Sequence, residues 1–269
     1  MPTELEPLID VADLRDRIRA LYREVADRPD GDFHFQTGRA VAERLGYPAD
    51  WLDAVPAEAV ASFAGVGHFL DLAAIRPGET ILDLGSGSGT DAFIAAHLTG
   101  PTGRVMGVDM TAAQLAKARR LRDARAQRNL VFVDGLIEDP PAEPERIDVV
   151  ISNGVINLAP DKDLVFAAIA RALRPGGRLA IADIVSAREL IERTRRNVAL
   201  WAACIAGAVP RDDYLAAIEA AGLRIVTVRE NAYEFLSARA QAAADKYGVT
   251  SVSVLATKPM EYEPGESVL

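Results

Sequence analysis

The first patterned segment, IDVADLRDRIRALYREVAD at 9–27, puts Val11, Leu14, Ile18, Leu21 and Val25 on one helical face before Asp30-Gly31 breaks the pattern. Two shorter helices are predicted at 37–45, stopped by Gly46 and Pro48, and at 56–63, ahead of the small-residue run Ala64-Gly65-Val66-Gly67. From Thr80 short apolar runs alternate with helical stretches. Strands are predicted at 80–84, 104–109, 130–134, 148–152 and 178–183. Helices are predicted at 91–98, at 111–125 behind a Thr111 cap, and at 161–173 behind an Asp161 cap, the last closed by Arg174-Pro175-Gly176-Gly177. A helical section follows at 187–222, then β-rich runs at 223–230 and 249–258, and EYEPGESVL reads as a frayed tail.

This alternation predicts an α/β chain with a doubly wound, mostly parallel sheet covered on both faces. The expected division is a helical cap at 1–72, a Rossmann-like core at 73–185, a helical insertion at 186–222 and sheet-completing strands at 223–269.

The candidate chemistry lies where the first strand turns into its helix. Ile81, Leu82 and Leu84 make the strand, Gly85, Gly87 and Gly89 recur at every second position, and Asp91 to Leu98 follows as helix. Glycine suits a turn where backbone must approach a ligand closely or adopt positive φ. Asp109 ends the next strand, the place from which an acid accepts both hydroxyls of a ribose. A nucleoside cofactor is the expectation. Gly87, Gly89 and Ala92 also fit the dinucleotide variant G-x-G-x-x-A, which keeps a nicotinamide-dependent oxidoreductase as an alternative. Against it stand Asp83 inside the strand and Asp91 in the first turn of the helix, both awkward beside a pyrophosphate.

Composition narrows the partners. The 269 residues are 49% hydrophobic and 26% charged, enough to bury a substantial core. A formal charge of −9 argues against a nucleic-acid partner unless a local basic patch exists. Arg119, Arg120, Arg122, Arg125 and Arg128 read as the solvated face of a helix; Arg193, Arg195 and Arg196 are a second group. No run of 18 apolar residues occurs, and MPTELEPLIDVADL lacks the basic start and apolar stretch of a signal peptide, so no membrane association and a cytoplasmic location are expected. The single cysteine, Cys204, precludes an internal disulfide, and His34, His68 and His97 are too scattered for a local metal motif, so no metal is expected. An apolar cap face could pack on its own core or on a second copy, leaving monomer and homodimer both open.

The run D-L-G-S-G-S-G at 83–89 resembles motif I of class I S-adenosylmethionine (SAM) methyltransferases. FHFQTGRAVAERLGYP at 33–48, SFAGVGHF at 62–69, GLIEDPP at 135–141, DVVISNGVINLAPDK at 148–162, RALRPGGRLAIADIV at 171–185 and LWAACIAGAV at 200–209 together resemble the arsenite methyltransferase family, from about residue 33 to 222. The resemblance implies a seven-stranded sheet with the last strand antiparallel, SAM as cofactor, S-adenosylhomocysteine as product and a small-molecule substrate. It implies Asp83 toward the methionine moiety, Gly85, Ser86 and Gly87 beneath the cofactor, Asp109 on the ribose and Met110 on one face of the adenine. Leu136, Ile137 and Glu138 would border the adenine edge, and Asn153 would lie near the methionine part, with Asn157 in the following turn. Phe63, Gly65 and Gly67 would form a lid above the sulfonium. For both asparagines, capping of the turn is the competing reading.

The family holds trivalent arsenic with several cysteine thiolates, one of them in an S-N-C-V-I-N-L turn; here that position is Gly154 and only Cys204 remains. One thiolate cannot chelate a thiophilic centre. An organic acceptor is therefore expected ahead of arsenite, with Gly154 leaving room and Tyr22, Phe33, Phe35, Phe69, Trp201 and Cys204 as candidate substrate contacts. If the acceptor must lose a proton, His68, which replaces a family asparagine, is the first candidate base and His34 the second. Arsenite methylation by Cys204 with exogenous thiols, and a non-catalytic SAM-binding protein, remain as alternatives.

Overall fold

The computed structural model describes residues 10–195, 201 and 205–260. A seven-stranded sheet runs in the order β3-β2-β1-β4-β5-β7-β6. Its strands are β1 (Thr80–Leu84), β2 (Arg104–Asp109), β3 (Leu130–Asp134), β4 (Ile147–Asn153), β5 (Leu173–Val185), β6 (Arg224–Asn231) and β7 (Thr250–Thr257). All pairings are parallel except those of β7 with β5 and β6. The order reverses between β1 and its two neighbours β2 and β4, so a crevice opens at the carboxyl end of β1.

The cap begins with α1 (Val11–Asp27), whose first turn is capped by the Asp10 carboxylate accepting from the amides of Ala12 and Asp13. Leu14, Ile18 and Val25 are buried as the spacing predicts. Four short helices follow, α2 (Arg39–Arg44), α3 (Ala49–Asp53), α4 (Ala57–Ala61) and α5 (Leu70–Ala73); α3 and α5 were not expected. One apolar cluster runs from Leu14, Val41 and Leu52 in the cap through Phe93 and Ile94 to Ile81, Val149 and Ala180 in the sheet, so cap and sheet share a core.

Helix α6 (Thr90–Thr99) sits between sheet and cap and is buried at every position from Thr90 to Ala96. This explains why its sequence lacks a polar face. Helices α7 (Ala112–Ala124) and α8 (Lys162–Ala172) complete the covering layers, the latter capped by Asp161 accepting from the Leu164 amide at 3.1 Å. Helix α9 (Glu192–Arg195) and α10 (Arg211–Ala220) occupy the expected helical section. Helix α11 (Ala238–Tyr247), between β6 and β7, was not expected; Ser237 caps it and Gly248, at φ 61°, ends it.

The sheet differs from expectation chiefly at β5, which pairs with β4 from Leu173, five residues before the predicted start at 178, with an irregularity opposite Ile147 and Val149. Arg178 of this strand donates to both Glu79 oxygens, at 2.8 and 2.7 Å, and to the carbonyls of Ala73 and Ala74, fastening α5 to β5. Of the arginines read as a solvated face, Arg119 donates to the Phe132 carbonyl, Arg120 pairs with Glu58 and Arg125 donates to the Ala54 carbonyl. They tie α7 to β3 and the cap instead of forming a free basic patch. Among the described residues no helix is long and apolar enough to cross a membrane. The expected tail, Arg196 and Cys204 lie outside the described residues.

Candidate functional site

A cleft lies over the carboxyl end of β1. The turn beneath it is shaped by glycine. Gly85 and Gly87 have φ of 72° and 54°, and a β-carbon on Gly85 would collide with Val155. The amides of Gly85 and Ser86 donate to the Val108 carbonyl at 2.8 and 3.0 Å, bonding the turn to the end of β2. Two residues on, the Gly87 amide donates to Asp109 Oδ2 at 2.9 Å, while the Thr111 amide donates to Oδ1 at 2.7 Å. Asp109 is thereby aimed at the cleft with lone pairs to spare.

Three aspartates, Asp83, Asp91 and Asp109, line this space. Burial raises the Asp83 carboxyl well above the usual carboxylate range, and the charges of Asp91 and Asp109 raise it further. Burial pushes Asp91 up to about 6 against the opposing hydrogen bonds of Tyr47 and Asn153. Asp83 is 3% exposed and its Oδ2 has no hydrogen-bond partner, nor does the buried Ser86 hydroxyl beside it. A buried carboxylate oxygen with nothing to accept is expensive in isolation. Facing a cation it becomes an asset, and the ammonium and sulfonium of SAM are such cations.

Beside the acids stands a polar clasp that the sequence did not disclose. The Tyr47 hydroxyl donates to Asp91 Oδ1 at 2.7 Å, and the Asn153 amide reaches the Tyr47 hydroxyl, Asp91 Oδ2 and the Gly67 carbonyl at 3.0, 3.1 and 3.0 Å. Asn153 Oδ1 in turn accepts from the Val66 amide at 2.8 Å. Across the cleft, Arg15 of α1 donates to Glu138 at 3.0 Å. Buried Gln114 accepts from Ser88 and donates to the Tyr22 carbonyl at 2.9 Å, fixing α1 to the core.

Of the residues expected at the cofactor, Phe63, Gly65, Asp83, Gly85, Ser86, Gly87, Asp109, Met110, Leu136, Ile137, Glu138 and Asn153 line this one cleft, and so does Tyr22. Gly67 does not; it packs against Asn231 and Ala182 under β6 and β5. Asn157 is fully buried beneath the turn, donating its backbone amide and side-chain amide to Asp183 at 2.9 and 2.5 Å, with Tyr214 donating to the same carboxylate at 3.0 Å. Its surroundings are a brace, not a ligand space.

The candidate acceptor contacts divide similarly. Phe35 and Phe33 stack in series behind Tyr22, with centroids 6.0 and 5.5 Å apart, so they back the cleft wall without lining it. Phe69 is wholly inside the core, and Trp201 lines a separate depression with Leu190 and Ala208. Gly154 opens no room in the cleft. It adopts φ 69°, and a β-carbon there would meet Val66 at 3.1 Å. His34 is exposed outside the cleft. His68 is buried between Tyr47 and Trp51, centroids 4.7 and 5.8 Å away, where burial lowers its pKa, and it too lies off the cleft. Asp91, Tyr47 and Gln114 were missed as site builders. The available signal was the carboxylate opening the otherwise apolar α6; Gln114, in the arginine-rich α7, carried none.

Comparison with known proteins agrees with this geometry. Residues 75–235 match the model of a methyltransferase domain. The chain is 41% identical over 204 residues to an arsenite methyltransferase of Halobacterium salinarum, covering 75% of this chain and 52% of that protein. It thus spans about half the length of that curated relative. An arsenic(III) SAM methyltransferase from Chlamydomonas reinhardtii superposes with a TM-score of 0.62 at 31% identity, over 86% of this chain and 76% of that one. A geranyl diphosphate C-methyltransferase from Streptomyces coelicolor, at 17% identity, shares the fold with a TM-score of 0.65 over 93% of this chain and 100% of that one. The seven-stranded sheet, the cleft over β1 and these matches together assign the chain: it belongs to the methyltransferase-domain family, with the class I fold of SAM-dependent enzymes.

Proposed function

We propose that the protein transfers a methyl group from SAM to a small organic acceptor. The observation that carries the donor half is the unpartnered Asp83 oxygen among three aspartates, in a cleft whose ribose acid, Asp109, is already oriented by two amides. SAM, when bound, supplies a methyl group already activated on its sulfonium. The protein must then orient the acceptor in line and exclude water. Phe63, Val155, Leu158, Ala159 and Pro160, with Ile18 and Tyr22 of α1, give the cleft an apolar wall suited to that task. No thiol lines it among the described residues. Because Val66 fills the space beside Gly154, a soft-metal pocket at that point has no support, which favours a carbon, nitrogen, oxygen or sulfur nucleophile.

A second reading, methylation of arsenite held by Cys204 with exogenous thiols, is favoured by the arsenite methyltransferases among the relatives. Calorimetric titration with SAM and S-adenosylhomocysteine, followed by mass-spectrometric detection of methyl transfer to arsenite plus thiol and to a panel of small aromatic metabolites, separates the readings. Transfer to an organic acceptor alone supports the first. Transfer to arsenite overturns it in favour of the second, SAM binding without any transfer points to a non-catalytic binding protein, and absence of SAM binding removes all three.

A further inference from the structure

The polar groups around Asp91 form a closed circuit among protein side chains. Tyr47, in the loop between α2 and α3, is 3% exposed and makes its hydroxyl the link between Asp91, at the start of α6, and Asn153, at the end of β4. Asn153 grips the backbone on both sides of the Val66–Gly67 peptide, accepting from the Val66 amide and donating to the Gly67 carbonyl. Its orientation is forced: turned over, it would set its oxygen against the Asp91 carboxylate and the Gly67 carbonyl. Gly65, which directly precedes that peptide, lines the cleft, and a β-carbon there would strike Asn153 and Phe63. The loop is thus drawn in to the closest approach that backbone permits.

We propose that Tyr47 is a positioning residue for the donor half of the reaction: by joining Asp91 to Asn153, which holds the Val66–Gly67 peptide, its hydroxyl fixes the loop that sets Gly65 in the wall of the cleft, so that cofactor capture and fixing of that wall are one event. The inference rests on the reading of the cleft as a SAM site. Tyr47 touches no reacting atom on this account and acts through Asp91 and Asn153. The charged and titratable groups facing Asp91 are Tyr47 from the cap and Asp83 from β1, with Asp109 of β2 acting on Asp83. His68, itself beside Asp71 and Arg229, lies behind the Tyr47 ring. Asp91 titrates near 6, and protonation would take one acceptor out of the circuit while reducing the negative charge offered to a cation.

The test is Tyr47→Phe, which keeps the ring against Phe63 and His68 and removes only the hydroxyl. SAM affinity is measured by calorimetry from about pH 5 to about pH 8.5, spanning a raised carboxylate. Hydrogen exchange of peptides covering 63–69 is followed in parallel. In the unsubstituted protein, affinity falls as pH drops through about 6. In Tyr47→Phe, Asp91 loses a stabilising donor, so the fall begins at higher pH, affinity near neutrality drops by about tenfold as one charged-group hydrogen bond implies, and the 63–69 amides exchange faster. Asp91→Asn, a second variant independent of the cap, flattens the acid limb. Wild-type affinity, pH profile and exchange in Tyr47→Phe overturn the proposal while leaving the SAM site intact. A uniform loss of affinity with an unmoved profile and unchanged exchange overturns it as well, and failure of the unsubstituted protein to bind SAM overturns the underlying reading.

Discussion

The Gly87 amide and the Asp109 carboxylate are joined across 2.9 Å, which makes the glycine turn and the acid proposed for the ribose a single preformed unit. Asp109→Ala should therefore remove a ribose partner and loosen the turn together. The expected loss of SAM affinity is about 30-fold or more, or about 2 kcal/mol, the scale of hydrogen bonds to a charged group. Asp109→Asn, which retains one acceptor, should fall between variant and parent. Calorimetry decides it, and undiminished affinity in Asp109→Ala would exclude Asp109 from the site.

Binding of SAM should release protons. Burial raises the carboxyls of Asp83 and Asp91 in the free protein, Asp91 to about 6 and Asp83 further helped by neighbouring negative charge, and a bound cation favours their ionised forms. The sign follows directly: protons held by the free state below its raised pKa values are lost on binding, so affinity increases as pH rises through that window. Titrations near pH 6.5 in two buffers of different ionisation enthalpy should give different apparent heats, and Asp83→Asn should shrink the difference. Identical heats in both buffers would contradict the carboxylate account.

Restoring a cysteine at position 154 should harm the protein without creating an arsenic site. The residue adopts φ 69°, which costs an L-residue roughly 1–2 kcal/mol. Its side chain would also press on Val66. Gly154→Cys should lower Tm, and adding Val66→Ala should recover the packing part alone. A variant as stable as its parent would show that the Val66 side chain yields freely.

Arg15 and Glu138 bridge the cleft from α1 to the segment after β3, with side chains 28% and 13% exposed. A bridge this accessible contributes modestly to stability. Its expected effect is on exchange of ligand: Arg15→Ala should speed SAM dissociation several-fold in stopped-flow chase experiments while shifting Tm by little. An unchanged dissociation rate would remove the bridge from the route of ligand release.

The strands were legible because each is a short apolar run punctuated by turn residues, and β1, β2 and β3 have the expected bounds. The start of β5 was hidden because Arg174-Pro175-Gly176-Gly177 reads as a turn, although its neighbours already pair with β4 and β7. Helix α11 carried a serine cap and a terminal glycine, but its alanine-rich body has too few large apolar residues to announce a buried face. The glycine turn and Asp109 were readable because they lie 22 residues apart in one strand-helix-strand unit. Tyr47, Asp91 and Asn153 meet across separations of 44, 62 and 106 residues, a juxtaposition that only the packing of cap on sheet creates.

That packing bears on how such a protein can change its acceptor. Because α6 is enclosed by the cap on one side and the sheet on the other, with the Thr90 hydroxyl bonded to the Ala59 carbonyl at 2.9 Å, the N-terminal helices serve as the outer skin of the core itself. Exchanging them wholesale would strip that skin from an apolar helix. Point changes along the inner face of α1 and in the residues after β4, by contrast, would reshape the cleft wall and leave that skin in place.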